Sequence, residues 1–163
     1  MELNFLAIAG AALIPLIIGS IYYGPLFGKS WMNVNGFKEE DLEGGNMAMI
    51  FGLSLLFSIL IAFALTTIVI HQIGIMQILQ PLADAGNVEA KTLLESFMAD
   101  YGGEFRSLKH LALHGGLVAF MFAFPLIAIN ALFERRGWKY IGIHTGYWFV
   151  TLIIMGAIIC KFF

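Results

Sequence analysis

His110 and His114 stand four residues apart, so on a helix their imidazoles rise from a single face. His71 lies at the end of an earlier apolar run on the same side of the chain's hydrophobic blocks, and Glu104 falls in the stretch between. A divalent ion needs three or four nitrogen or oxygen ligands converging within about 2–2.6 Å. Spacing alone does not bring His71 beside the pair, and histidines at a membrane boundary also serve as interfacial hydrogen-bonding groups. No cofactor is expected and no metal set is favoured; His71, His110 and His114 are the residues to inspect.

A second pattern lies near the end of the chain. Tyr140, His144, Tyr147 and Thr151 fall at i, i+4, i+7 and i+11, one polar stripe on a helix. The opposite face carries Gly142 and Gly146, a G-x-x-x-G surface of the kind that lets helices approach closely, so these two are the packing or oligomer candidates. Lys29, Trp31, Glu134, Arg135 and Arg136 follow other apolar runs and could meet at the same end as His144. They could anchor the protein in the interface. Alternatively, Lys29 or Arg135 could hold an anionic headgroup or small anion while Glu134 fixes the geometry. With Tyr23, Asn130, His144 and Tyr147, the residues Lys29, Trp31, Glu134 and Arg135 form the ligand or lipid candidates. No phosphate loop, nucleophile elbow, H-E-x-x-H or C-x-x-C occurs, so no catalytic residue is assigned.

The elements that must position these residues are set by composition. Of 163 residues, 60% are hydrophobic and only 12% charged, where soluble domains run about 45–50% apolar and about 25% charged. A net charge of −2 with scattered Lys and Arg provides no field for nucleic acid. Four blocks, 5–23, 47–70, 111–132 and 140–159, are uncharged over about 19–24 residues, enough to cross roughly 30 Å of hydrocarbon as helices. Backbone amides in lipid must be satisfied internally, which selects helices. The chain is expected to be an all-α integral membrane protein, one domain over 1–163 whose partner is the bilayer. Pro15 and Pro125 each remove a backbone bond, to Ala11 and Met121, so both spans should bend there.

The N-terminal Met1-Glu2-Leu3-Asn4 lacks the basic region of a secretory signal, and the first run is read as a retained helix. Cys160 reads as a buried small hydrophobe. Gly24-Pro25 marks a turn after the first span, and the apolar half of that connection is expected along the interface. In the long second connection, 71–110, residues 72–79 should prolong the second span. Asn87 should cap an amphipathic helix over 88–100 that ends at Gly102-Gly103, with Leu93, Leu94, Phe97 and Met98 on its apolar side. The short third connection, 133–139, forces an antiparallel hairpin and concentrates Arg135, Arg136 and Lys139. By the positive-inside rule this places both termini on the non-cytoplasmic side, although Lys and Arg divide only five to four between the sides.

The stretch Tyr22-Tyr23-Gly24-Pro25-Leu26-Phe27-Gly28-Lys29-Ser30-Trp31-Met32, with Asn130-Ala131-Leu132-Phe133-Glu134-Arg135 and Gly146-Tyr147, resembles the bacterial membrane family catalogued as domain of unknown function 1761. The resemblance spans nearly the whole chain and implies four membrane helices and no particular activity. Tyr22 departs from the tryptophan expected there, and the second connection is longer than usual. Three functions are open: a non-enzymatic homo-oligomer with a lipid- or ligand-contacting polar mouth, a small oligomeric transporter or channel using the polar stripe, and a metal-dependent membrane enzyme using the three histidines.

Overall fold

The computed structural model describes residues 4–162, with side chains through Ile159. Met1, Glu2, Leu3, Phe163 and the side chains of Cys160, Lys161 and Phe162 lie outside the described residues. Every regular element among them is helical. Four helices are long and apolar enough to cross a membrane: Phe5–Leu26, Met47–Val69, Leu108–Phe133 and Trp138–Ile159.

Span one consists of α1 (Phe5–Ile21) continued by a π-helical turn at Tyr22–Leu26. Asn4 caps its start, the side-chain oxygen accepting from the amides of Leu6 and Ala7 at 3.1 and 3.2 Å. The irregularity of this span falls at the π turn, where Gly24 leaves helical geometry, rather than at Pro15, which lies inside the continuous α1. A short helix α2 (Gly28–Asn35) follows and closes on Gly36, whose φ of +76° is a conformation glycine adopts without cost.

Span two is α3 (Met47–Val69), capped by Asn46. It ends at Ile70, whose extended backbone (φ −100°, ψ 97°) breaks the helix before α4 (His71–Asp84) begins. Residues 72–79 are therefore helical, as expected, but belong to a separate helix that leaves span two at an abrupt joint. Asn87 caps α5 (Val88–Tyr101), accepting from the Ala90 amide at 2.9 Å. The two helices pack as a hairpin. Ala90 and Leu94 are the buried residues of α5, whereas Leu93 is exposed.

Span three comprises α6 (Leu108–Val118), a π turn at Ala119–Ala123 and α7 (Phe124–Phe133). Pro125 sits at the start of α7, directly after the π turn, so the widened turn accommodates the missing amide. Span four is α8 (Trp138–Phe162). Spans three and four form the expected antiparallel hairpin, and α8 also packs on α1.

The core is made of small and aliphatic side chains from all four spans: Ala11 and Ala12, Ala62 and Leu65, Leu111 and Ala119, Leu152 and Met155. Close approach, not bulk, holds membrane helices together, because lipid is as apolar as leucine. The tightest contact joins α6 to α8 at two points. A Cβ built at Gly115 would overlap the Leu152 carbonyl oxygen, and one at Gly156 would lie 2.5 Å from the Leu111 carbonyl oxygen. Spans differ in how much they share in this core: 39% of the span-four window is buried but only 17% of span two.

Candidate functional site

Two polar clusters sit at opposite ends of the bundle. The first lies where spans one and four meet the first and third connections. The π turn, closed by the Phe27 amide on the Tyr22 carbonyl at 2.8 Å, sets Tyr22 and Tyr23 side by side with ring centroids 5.3 Å apart. Gly28 makes room for this turn, since a Cβ there would lie 2.8 Å from the Tyr23 carbonyl oxygen. The Tyr23 ring then touches Trp31, His144 and Tyr147 at 5.7, 5.9 and 4.9 Å. Its hydroxyl is hydrogen-bonded to His144 Nδ1 at 3.2 Å, and Tyr140 packs on the same imidazole at 4.3 Å.

One end of His144 is thus held and the other is not. Its Nε2 is buried and meets no hydrogen-bond partner among the described residues. Whichever tautomer the ring adopts, Nδ1 uses one function on Tyr23 and Nε2 keeps the other, a donor or an acceptor, unmatched. A buried polar atom left in that state costs about 1–3 kcal/mol, so its position calls for a physical explanation. Tyr147, by contrast, spends its hydroxyl on the Pro15 carbonyl at 2.9 Å across a contact that Gly19 leaves open, whereas the buried hydroxyls of Thr145 and Thr151 on the same helix are unmatched like His144 Nε2. Beside Tyr147 and Trp148, a groove of about 330 Å³ between spans one, two and four is lined by Ser20, Ser54 and Ser58.

Of the ligand candidates, Tyr23, Trp31, His144 and Tyr147 are therefore brought together. Lys29, Asn130 and Arg135 are exposed and stand apart from the ring cluster. Arg135 serves the backbone, for with φ +56° it is the left-handed residue that ends α7, the Arg136 amide reaching back to the Ala131 carbonyl at 2.7 Å. The cation that organises this end is Arg136, which the sequence sets at this mouth without singling it out as a ligand candidate. It pairs with Glu134 at 3.6 Å, donates to the Val34 carbonyl at 3.3 Å, and lies 5.5 Å over the Tyr140 ring. Gly146 is used within the chain, for a Cβ there would lie 2.5 Å from the Tyr22 hydroxyl.

The second cluster lies at the other end, beside the α4–α5 hairpin. The joint at Ile70 turns the chain so that His71, the first residue of α4, faces α6. There Ser107 caps the helix on the His110 amide, and the Gly115 and Gly156 contacts clamp it to α8. His110 Nε2 lies 3.0 Å from His71 Nε2 and 3.0 Å from His114 Nε2. The ligating nitrogens of all three histidines fall within 4.8 Å of one another. The Glu104 carboxylate is not among these converging groups; the backbone carbonyl of Glu104 instead accepts the Gln72 carboxamide at 2.8 Å. Gln72 also donates to the Tyr101 carbonyl at 3.0 Å, holding the loop that delivers Phe105 against His71 and His110. Neither Gln72 nor Phe105 carries a sequence signal for this role.

A family model described as protein of unknown function (DUF1761) matches residues 6–160. No curated protein and no solved structure matches the chain.

Proposed function

The chain belongs to the DUF1761 family of proteins of unknown function, and for this member, with its four membrane-spanning helices, we propose a protein that binds a small hydrogen-bonding group at the aromatic end of its bundle without catalysing a reaction. The group is a free solute or a lipid headgroup. The observation that carries this reading is the buried, unmatched Nε2 of His144, held in place through Nδ1 by Tyr23. Tyr23, Trp31, Tyr140 and Tyr147 supply the aromatic surround. Nitrogen-15 NMR of histidine-labelled protein tests it: purified with native lipid, His144 Nε2 should show a hydrogen-bonded resonance, absent from His144→Ala. Loss of that signal on delipidation identifies a headgroup, and persistence identifies a solute. An Nε2 free of hydrogen bonding in both preparations overturns the proposal.

Both termini and the α4–α5 hairpin are assigned to the non-cytoplasmic side, supported by Arg135, Arg136 and Lys139 in the short third connection. The transporter reading draws no comparable support, because the Tyr147 hydroxyl on the polar stripe is spent on the Pro15 carbonyl.

The proposal includes a homo-oligomer. Gly142 is exposed and, beyond its own helix turn, has nothing among the described residues within 4 Å of a Cβ built there, so it remains for a neighbouring copy while Gly146 is filled by Tyr22. Gly142→Leu should move the population toward monomer in native mass spectrometry with the fold intact. Unchanged stoichiometry would remove this face from consideration.

A further inference from the structure

We infer that His71, His110 and His114 form a binding site for one divalent transition-metal ion of the zinc class, joining α4 to α6 at the membrane surface. This site is separate from the aromatic end of the bundle and stands or falls independently of the proposal made there.

The reason is a mismatch that hydrogen bonding cannot resolve. His110 Nε2 lies 3.0 Å from two other imidazole nitrogens at once. A neutral imidazole nitrogen has one function in the ring plane: as N–H it donates one hydrogen bond, and as a bare nitrogen it accepts one. It therefore satisfies one neighbour and leaves the other facing it without a partner. Protonating the rings would make matters worse, since it sets positive charges against one another. A cation at the shared focus satisfies all three lone pairs together.

The dimensions suit such an ion. Zinc–nitrogen bonds of about 2.0–2.1 Å at near-tetrahedral angles place ligand nitrogens about 3.3–3.4 Å apart. The observed separations of 3.0 Å, with all three nitrogens inside 4.8 Å, need adjustments of only a few tenths of an ångström at two edges and a modest closure at the third. An all-imidazole set favours zinc, copper, nickel or cobalt over magnesium or calcium, which take oxygen ligands. Three protein ligands leave a fourth coordination position for water or another molecule. His71 is exposed and provides access from the aqueous side, whereas Phe105, 5.2 Å from His110, covers the set with an apolar ring.

The positions of the ligands are fixed by features that have no other evident need to converge. His110 and His114 share a face of α6, and that helix is locked to α8 through Gly115 and Gly156. His71 arrives only because span two breaks at Ile70. Metal binding would thus tie the first turn of the α4–α5 hairpin to span three.

The test uses full-length protein in detergent with any polyhistidine tag removed. Zinc is titrated against a competing chelator, and cobalt is added separately for its visible absorption. Wild type should take up one equivalent of zinc, show the intense absorption of low-coordinate cobalt, and melt at a higher temperature with zinc than with chelator. His110→Ala should weaken zinc by more than the ~10–100-fold that loss of an outer-shell partner costs, and remove the melting shift. His71→Ala, altering an exposed residue on a different helix, should do the same with the bundle's circular dichroism preserved. This second variant guards against loss of folding in the first. The inference is overturned if wild type takes up no stoichiometric zinc, or if the zinc bound by both variants equals that of wild type in amount and affinity.

Discussion

Gly115→Ala is expected to cost about 3 kcal/mol or more, at or beyond the upper end of the usual overpacking range, although it adds a single methyl group. That methyl would overlap the Leu152 carbonyl oxygen and lie 2.8 Å from the carbonyl carbon and 3.1 Å from the Ile153 Cα. All three are backbone atoms, which have no rotamer to change. Relief requires α6 and α8 to separate, and separation forfeits the dispersion contacts along both helices, including the reciprocal one at Gly156. Thermal unfolding in detergent measures the effect. Gly52→Ala is the internal comparison, since Gly52 also lies within a span but, beyond its own helix turn, has nothing among the described residues within 4 Å of the added Cβ. Melting curves for the two variants that coincide with wild type would refute the described register of spans three and four.

The second large effect is local. Gln72→Leu should cost about 2–4 kcal/mol by removing two donated hydrogen bonds from a buried position, leaving the Tyr101 and Glu104 carbonyls without that partner. The cost falls on the closure of the hairpin rather than on the spans. Hydrogen–deuterium exchange should therefore accelerate at residues 101–107 and through α4–α5 while the cores of spans three and four stay protected. Uniform exchange across the chain, or no change at all, would mean that Gln72 is not the clamp.

Architecture was legible in the sequence because lipid imposes a single requirement, long apolar runs with internal hydrogen bonding, and that requirement is written in consecutive residues. The four spans, the Asn87 cap and the tight hairpin at 133–139 are all local statements. What local spacing could not supply was the joint at Ile70, since a valine–isoleucine–histidine run carries no helix-breaking residue. With that joint unknown, His71 could not be placed beside His110 and His114. The same limit explains the glycines. Gly142 and Gly146 form a recognisable repeat, yet the close helix contact uses Gly115 and Gly156, which lie on different spans and become partners only once the register is set. At the other end, Tyr23, Trp31, His144 and Tyr147 meet in one cluster, whereas the choice between Arg135 and Arg136 depended on a left-handed backbone residue that no composition rule assigns to arginine.

The uneven sharing of the core has a further consequence. Span two meets its neighbours along a narrow strip and otherwise faces acyl chains, a solvent that reads greasiness and ignores shape. Leucine, phenylalanine or methionine would serve there interchangeably, so its outward residues are free to drift over generations. Span four touches spans one and three and contributes to the aromatic cluster, leaving few positions where exchange is harmless. The hereditary record of this molecule should therefore be lopsided, with one helix rewritten often and another scarcely at all.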